Sequence, residues 1–343
     1  MKHVNQILPN RVLSAPLAAT LFLGLAAVAA FPAYASGKVT AKKSPTKEVV
    51  APPTAAESNP ASDPTAQESE LAVDNDVSIA LCSKVAAKLN SVRRTDCVSS
   101  GLVATSGRSV LGEPILIKKY GAVSGVAPNG RILLIGGIHG DEFSSVSIVF
   151  RWIRALNEYR SGLFDWTVVP LLNPDGLLNP RATRTNANGV DLNRNFPTPN
   201  WNVESQAHWI KVTKRSPRRY PGVAPLSEPE SKWLAELIQE VRPDAIVSVH
   251  APHGILDYDG PMAAPKRLGK LRLSLLGTYP GSLGNYAGTQ NSIPVVTIEL
   301  PTAGSMPKEA EATAIWEDLN KWLRVNVRAR PQQVQTDEAS KKS

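Results

Sequence analysis

The sequence predicts an α/β fold, in which strands and covering helices alternate within one domain of residues 106–328. Short apolar, β-branched runs such as RILLIGGI (131–138) and DAIVSVH (244–250) have the character of buried strands. Longer segments between them carry apolar residues at helical spacing, and an apolar content of 42% is enough for a sizeable core. Strands alternating with helices favour a sheet that is covered on both faces.

Further segments continue this alternation in both directions along the chain. SSVSIVFRWIRALNEY (144–159) carries apolar residues at helical spacing and is predicted as a covering helix. More strands are predicted at EPILIKKYG (113–121), TVVPLLNP (167–174) and PVVTIEL (294–300). No internal repeat is present, so these segments belong to one sheet and not to an array of units.

Two later helices complete the predicted domain. Ser227-x-x-Glu230 is a capping-box pattern, in which two side chains satisfy free backbone N–H groups at a helix start, and Pro229 suits the first turn. We expect this helix to continue through Val241. A final helix is predicted over about residues 308–327.

The first 35 residues have the layout of a secretory signal peptide. Lys2 and Arg11 precede the apolar stretch LAATLFLGLAAVAAF, and Ala33-Tyr34-Ala35 supplies an A-x-A cleavage site. The apolar stretch is short for a membrane span. We therefore predict a periplasmic protein without a membrane span after cleavage; an uncleaved membrane anchor is the alternative.

Two segments are predicted to be disordered. Residues 36–72 are rich in Pro, Ala, Ser and Thr and lack aromatic residues, so they cannot bury enough apolar area to offset their chain entropy. The tail, residues 329–343, has the same character.

The formal charge of the chain is +8 and falls to +6 without the signal peptide. This net charge is too small to predict a nucleic-acid partner. We expect a monomer or a weak dimer.

Residues 73–105 are predicted to form a small helical appendage before the main domain. They contain one helical pattern, VSIALCSKVAAKLNSV, and both cysteines of the chain, Cys82 and Cys97. Because an exported segment meets an oxidising compartment, these two residues are candidates for a disulfide. The alternative is a pair of buried free thiols.

Three predicted strands end in ionisable groups. One ends at His139, a second at His250 and a third at Glu299. A single polar residue is common where a strand ends at the solvent. Three strands that end in ionisable residues favour one shared site, because ligands of α/β sheets bind beyond the carboxyl ends of the strands.

The histidines favour a metal site. Of five in the chain, His3 leaves with the signal peptide and His208 is predicted in a polar loop. A catalytic zinc needs three protein ligands and one open position. His139-x-x-Glu142, across a strand–helix corner, supplies two ligands and His250 a third, with His253 as a competitor for that position. Glu299 is the candidate proton carrier, although a carboxylate paired with a cation at a strand end is the common alternative.

The segment RATRTNANGVDLNRNFP (181–197) concentrates three arginines and four asparagines around one glycine turn. A guanidinium group binds a carboxylate at two points, and a neighbouring amide adds a third contact. Asn193 and Arg194 are therefore candidates for binding a substrate carboxylate. Arg184, a few residues earlier, is a candidate for stabilising the oxyanion that forms when water attacks a carbonyl group.

These motifs occur in an order that resembles the zinc carboxypeptidase family: HGDE, NPDG, NGVDLNRNFP, VSVH and TIELP. The likeness covers about residues 105–325. It is greatest to the murein peptide amidase branch, which SEPE (227–230) and PGSLG (280–284) also resemble. An aspartoacylase-type deacylase shares the HxxE pair and a later histidine, but the longer motifs argue against it.

The resemblance implies a mixed, mostly parallel eight-stranded sheet between helices and one zinc ion per chain. The zinc ligands would be His139, Glu142 and His250, with Asp191 orienting the first histidine. Glu299 would be the general acid–base. The remaining roles would follow the residue chemistry, with Arg184 at the carbonyl group and Asn193 and Arg194 at the substrate carboxylate.

The implied reaction is cleavage of the amide between γ-D-glutamate and meso-diaminopimelate in murein peptides or peptidoglycan stem peptides. The main alternative is an exported carboxypeptidase that trims ordinary peptides. An alternative from a different class of protein is a non-catalytic wall-binding protein.

Two further features have two possible interpretations each. Tyr286 is a near match to a mobile tyrosine of digestive carboxypeptidases, or else a core aromatic residue. The basic run KVTKRSPRR (211–219) is interpreted as a solvated loop in preference to a substrate approach, and Asp141 as a helix N-terminal charge.

Overall fold

The computed structural model describes residues 64–121 and 127–328. All of them belong to one compact unit. The predicted signal peptide, residues 36–63 of the predicted linker and the predicted tail lie outside these residues. Within the described ranges, no helix combines the length and apolar character that crossing a membrane requires.

The centre of the fold is a seven-stranded sheet, which confirms the predicted α/β class. Its strand order is β1-β2-β4-β3-β5-β9-β6, and β7 and β8 form a separate short hairpin. The strand bounds are β1 Val103–Arg108, β2 Pro114–Tyr120, β3 Gly130–Ile135, β4 Phe164–Val169, β5 Ala245–His250, β6 Ile255–Asp259, β7 Arg267–Leu268, β8 Leu271–Arg272 and β9 Val295–Glu299.

The sheet is mixed, as predicted, but it differs in strand number and direction. The described residues contain seven main strands instead of eight. The central strands β4, β3, β5 and β9 are parallel neighbours, whereas β1, β2 and β6 are antiparallel to theirs. Short connections explain part of this difference. Residues 109–113 and 251–254 are too few for the crossover that parallel strands require, so the chain reverses after β1 and after β5.

Helices cover both faces of the sheet, and the alternation of side chains along β3 shows why both faces are apolar. Ile132 and Leu134 belong to one buried cluster, and Leu133 and Ile135 to the other. Every one of these side chains is fully buried. The helix bounds are α1 Pro64–Lys88, α2 Arg94–Ser99, α3 Phe143–Glu158, α4 Pro174–Leu178, α5 Trp201–Lys211, α6 Pro229–Val241 and α7 Glu309–Asn326.

The predicted N-terminal appendage is part of the main domain. Leu81 and Val85 of α1, and Leu89 just after it, join the same apolar cluster as the covering helix α3, and β1 forms the edge of the main sheet. Helix α1 begins at Pro64, so residues 64–72 of the predicted linker are helical. Cys82 and Cys97 form a disulfide with a Cα–Cα distance of 5.6 Å.

The predicted helix at residue 229 is present, but its predicted cap is wrong. The residue that precedes α6 is Glu228, and its side chain forms no capping bond. Glu230 is fully buried; it accepts hydrogen bonds from the backbone N–H of Val110 and from the side chain of Asn186. These distant partners take the carboxylate away from the helix end. The last predicted helix agrees with α7 within one residue at each end.

Candidate active site

The carboxyl ends of three neighbouring strands bring the predicted site together. His139 lies just after β3, and His250 and Glu299 are the last residues of β5 and β9. Because β3, β5 and β9 are consecutive parallel strands, their ends meet at one edge of the sheet. All three side chains are buried, with 2%, 3% and 8% of their surface exposed.

A tight strand-to-helix corner positions His139 and Glu142. Gly137 adopts a φ of +61°, a left-handed conformation that favours glycine. At Gly140, an added Cβ atom would lie 2.1 Å from the carbonyl carbon of Gly176, so the HGDE and NPDG motifs pack backbone against backbone. This close approach places Glu142 immediately before α3, with its side chain turned back toward His139.

His139, Glu142 and His250 form a buried group whose ligand atoms all lie within 4.8 Å of one another. The Nδ1 atom of His139 is 2.8 Å from Glu142 Oε1, and the Nδ1 atom of His250 is 3.2 Å from Glu142 Oε2. The two Nδ1 atoms are 3.1 Å apart. Two imidazole nitrogens and a carboxylate that converge on one point are a ligand set that fits a catalytic zinc ion.

The outer nitrogen of each histidine is held by a second residue. His139 Nε2 lies 3.1 Å from Asp191 Oδ1, and His250 Nε2 lies 2.9 Å from the Ser248 hydroxyl. These bonds orient both rings so that Nδ1 faces the metal position. The orienting position of Asp191 was expected, whereas Ser248 was missed. The sequence could have indicated Ser248, because it lies two residues before His250 on one strand and such residues share one face.

Glu142 and Asp191 are held in their charged forms. Burial alone raises the pKa of Glu142, but the charges and hydrogen bonds of His139 and His250 lower it below its ordinary value. The pKa of Asp191 is likewise well below its ordinary range, because Arg184 and His139 outweigh the effect of burial. Burial lowers the pKa of His250, yet its hydrogen bond to Glu142 and the nearby carboxylates raise it overall.

Arg184 is locked between two of these acids. Its Nε donates to Asp191 Oδ2 at 2.9 Å and its Nη1 to Glu142 Oε1 at 3.2 Å. The side chain is buried, and the two carboxylates raise its pKa despite the opposing effect of burial. The guanidinium group therefore lies as a fixed cation beside the metal group.

Asn193 and Arg194 present unsatisfied donors to the same cavity. Arg194 is 7% exposed, and its Nε atom has no hydrogen-bond partner among the described residues. Burial lowers its pKa to about 10, so it remains a cation at neutral pH. The Asn193 oxygen accepts the N–H of Leu283 at 2.8 Å, which leaves its amide hydrogens as donors. This pair is suited to binding a carboxylate.

Glu299 lines the cavity without an ion-pair partner among the described residues. Its Oε2 atom is buried and lacks a hydrogen-bond partner among the described residues, and Glu299 forms no ion pair with them. The structure therefore contradicts the alternative in which Glu299 pairs with a cation at the end of its strand. The cavity of about 400 Å³ joins this carboxylate to the metal group, Arg184, Asn193 and Arg194.

The structure also shows where three residues lie whose positions or roles were uncertain from the sequence. Tyr286 is a core residue, stacked on Phe196 with ring centroids 5.7 Å apart, and it does not line the cavity. His253 is exposed at the cavity, outside the metal group. His208 lies on α5 and not in a loop.

Several cavity residues were missed or interpreted differently from the sequence. The ring of Tyr279 lies 4.5 Å from the Arg194 guanidinium carbon, a contact that no local pattern signals. Arg218 and Arg219 of the basic run line the cavity, as the substrate-approach alternative expected, while Arg218 also remains exposed to solvent. Asp141 also lines the cavity and pairs with Arg218, because the loop folds back over the strand–helix corner.

Comparison with known proteins agrees with this arrangement. The family profile described as zinc carboxypeptidase matches residues 96–260. Murein peptide amidase A of Vibrio campbellii is 34% identical over 218 residues, covering 61% of this chain and 84% of that protein. Its namesake in Escherichia coli is 32% identical over 223 residues, with coverages of 63% and 88%. The crystal structure of carboxypeptidase A from Helicoverpa armigera shares the fold, with a TM-score of 0.53, 18% identity and coverages of 75% and 80%.

The fold and the buried metal group define a zinc-dependent peptide hydrolase. The chain belongs to the zinc carboxypeptidase family. The expected zinc cofactor follows from this membership and from the convergence of His139, Glu142 and His250.

Proposed function

We propose that this enzyme hydrolyses the amide bond between γ-D-glutamate and meso-diaminopimelate in murein peptides, in the periplasm after export. Two relatives that it resembles over most of their length are murein peptide amidases. The observation that carries the proposal is the buried guanidinium group of Arg194, which has no carboxylate partner among the described residues, in the cavity that also contains Glu299 and the metal group. Such a cavity favours an amide whose leaving residue bears a carboxylate.

Substrate binding begins with that carboxylate. Arg194 and the amide group of Asn193 donate hydrogen bonds to the α-carboxylate of the diaminopimelate residue. Tyr279 packs on the Arg194 guanidinium group and holds its plane. The scissile amide is thereby directed toward Glu299 and Arg184, and this positioning lowers the entropy cost of reaction.

The proton transfers are assigned to Glu299. Its unpartnered Oε2 accepts a proton from the attacking water and then delivers it to the nitrogen of the departing amine. Arg184 donates a hydrogen bond to the carbonyl oxygen as negative charge develops there. Zinc, when held by His139, Glu142 and His250, supplies Lewis-acid polarisation of the carbonyl group and the water.

The basic loop supports a substrate with a second carboxylate. Arg219 is half-buried at the cavity, with its Nη1 3.8 Å from Asp191 Oδ2, beyond hydrogen-bond distance. Arg218 is exposed at the same cavity and pairs with Asp141. A γ-linked D-glutamate retains its free α-carboxylate at the far end of its side chain from the scissile bond, whereas an α-linked residue has consumed it in the peptide bond. The excess of cations over this part of the cavity favours the γ-linked substrate.

The test is to incubate the purified, zinc-loaded protein with L-Ala-γ-D-Glu-meso-diaminopimelate and to measure release of diaminopimelate. A benzoyl-glycyl dipeptide serves as the ordinary-peptide control. We expect release from the murein peptide at a much higher kcat/KM, its loss on chelation and its return with added zinc. Trimming of the control without diaminopimelate release would replace this proposal with the ordinary carboxypeptidase alternative.

A further inference from the structure

The loop that carries the substrate-binding side chains has little regular secondary structure. Between α4 and α5 the chain forms only a short 3₁₀ turn, Leu192–Arg194. Arg184, Asn193 and Arg194 nevertheless all line the active-site cavity. A displacement of ~1 Å at such positions can reduce a rate by ~10²-fold, so contacts with other segments must hold this loop in place.

Asn186 closes a tight turn in the first half of the loop. Its backbone N–H donates to the carbonyl oxygen of Val190 at 3.0 Å, and its Oδ1 accepts the N–H of Val190 at 3.1 Å and that of Asn188 at 3.2 Å. The turn ends directly before Asp191. Asn186 is only 3% exposed, so its amide nitrogen Nδ2 needs a partner inside the protein.

Glu228, the residue before α6, supplies that partner. The Nδ2 atoms of Asn186 and Asn188 donate to Glu228 Oε2 at 2.7 and 2.9 Å, and the Ser227 hydroxyl donates to Oε1 at 2.7 Å. Glu230 gives Asn186 a second acceptor at 3.0 Å. Glu228 is 4% exposed. Because hydrogen bonds to a carboxylate are stronger than those between neutral groups, Glu228 anchors the turn firmly.

The backbone of Glu228 holds the other end of the same loop. Its N–H donates to Asn195 Oδ1 at 3.2 Å. Asn195 is fully buried, and its Nδ2 donates to the carbonyl oxygens of Pro221 and Ala224, both at 2.9 Å. Glu228 therefore bonds to the chain on both sides of residues 191–194, with its side chain before them and its backbone after them.

We propose that Glu228 is a positioning residue for substrate recognition. Its carboxylate holds the turn at Asn186 and thereby sets the place of Asn193 and Arg194, whose role as the carboxylate-binding pair rests on the proposed function. Glu228 is not among the residues that line the cavity, so it acts through this loop. Its loss should weaken recognition of the terminal carboxylate and leave the metal group, which comes from other segments, in place.

The experiment measures kcat and KM of the purified, zinc-loaded protein on substrates whose C-terminal carboxylate is free or amidated. Two acyl series are used, L-Ala-γ-D-Glu-meso-diaminopimelate and a benzoyl-glycyl dipeptide. The variants are Glu228→Ala, Glu228→Gln, and Glu228→Ala combined with Arg194→Ala. Glu236→Ala, an exposed change on α6, is the control. Circular dichroism and zinc content report whether each variant folds and holds its metal.

Glu228→Ala should lose on the order of 10- to 100-fold in kcat/KM on the free acids, mainly through KM, and much less on the amides. Glu228→Gln retains an oxygen for Asn186 and should recover most of this loss. In the Arg194→Ala background Glu228→Ala should add little, because residues that act through one another are not additive. Glu236→Ala should match wild type.

A milder variant keeps the test decisive if Glu228→Ala does not fold. Asn188 is exposed, and Asn188→Ala removes only one of the three side-chain donors to Glu228. It should show a smaller loss of the same kind, on the free acids and not on the amides. Equal loss on both substrates would count against the inference.

The two proposals fail in different ways. If only the benzoyl-glycyl acid is cleaved, and Glu228→Ala weakens that cleavage selectively, the proposed function fails and this inference stands. If the murein tripeptide is cleaved but Glu228→Ala slows acid and amide equally, the inference fails and the function stands. The same holds if Glu228→Ala adds its full loss to that of Arg194→Ala, because Glu228 would then not act through Arg194.

Discussion

His250 and Glu299 lie directly opposite each other at the last position of the β5–β9 ladder. Neighbouring strands are ~4.8 Å apart, so this register places a zinc ligand beside the proton carrier without help from a loop. Residues 251–294 separate the two strands in sequence. The rigidity of a central parallel pair is the physical basis for a precise distance between the metal and the proton carrier.

This separation of roles predicts that Glu299 and His250 variants differ in metal content. Glu299→Gln should bind zinc normally and lose ~10²–10⁴-fold in kcat, the usual contribution of general acid–base catalysis. His250→Ala should lose both zinc and turnover, because it removes one of three protein ligands. Metal analysis of the purified proteins alongside peptide hydrolysis tests this. Glu299→Gln turning over at a near-normal rate would remove the assigned acid–base.

The role of Arg194 as the carboxylate anchor predicts a dependence on the substrate terminus. Arg194→Ala should reduce kcat/KM by on the order of 10²-fold for a substrate with a free terminal carboxylate, because a charged hydrogen-bonding pair is lost. The loss should be much smaller for the same substrate amidated at that terminus, which wild type already handles poorly. Arg181→Ala, an exposed arginine of the same segment, is the matched control. A similar loss on both substrates would indicate a structural role instead.

The buried Glu230 predicts a pH-dependent stability. Burial raises the pKa of Glu230 from its ordinary 4.5 to about 7, against its hydrogen bonds to Asn186 and Val110. Below pH 4.5 the carboxyl group is protonated in both states and has no effect. Between 4.5 and 7 the folded protein retains a proton that the unfolded chain has released, so the free energy of unfolding falls as pH rises. The fall from this group is on the order of 3 kcal/mol.

Urea unfolding of wild type and Glu230→Gln across pH 4.5–8 measures this effect. The variant should show a flatter dependence of the free energy of unfolding on pH, because its side chain does not titrate. Glu236→Gln, an exposed change on the same helix, should follow wild type. Parallel curves for wild type and Glu230→Gln would show that Glu230 is ionised in the folded protein over this range.

The backbone contact behind the metal corner predicts a large effect of one methyl group. Gly140→Ala places a Cβ atom 2.1 Å from the Gly176 carbonyl carbon, where the obstacle is backbone and not a movable side chain. We expect a loss of ~1–3 kcal/mol in unfolding free energy or more, the usual cost of overpacking, together with weaker zinc binding. Gly121→Ala has no atom within 4 Å and no positive φ, so it should be nearly neutral. Equal stability of the two variants would contradict the backbone contact.

Much of the fold could be predicted because its determinants are local. The strand at residues 130–135 and the helix at 309–326 follow from side-chain periodicity, which depends only on neighbours along the chain. The ligand residues at 139, 142 and 250 could be predicted for a similar reason, since zinc accepts few residue types and strand ends are recognisable. Chemistry that depends on residue type and spacing is visible in a linear sequence.

Other features depend on which distant segments become neighbours. The pairing of Glu230 with Asn186 overrode a valid capping pattern, because a fully buried carboxylate must satisfy its oxygens where donors are available. The stacking of Tyr279 on Arg194 and the return of Arg218 onto Asp141 likewise join residues far apart in the chain. A charge run looks the same in a sequence whether it is solvated or folded over a cavity.

By itself, the sequence determined the α/β class, the order of the motifs and the identity of the metal-ligating and proton-carrying side chains. Only the tertiary structure decided that β9 lies between β5 and β6, which sets Glu299 against His250 on one side and near Asp257 on the other. The reason is physical: residue type and periodicity act over a few residues, whereas strand order is set by the burial of the whole sheet. The catalytic residues are therefore legible in the chain, and the surroundings that select a substrate appear only when it folds.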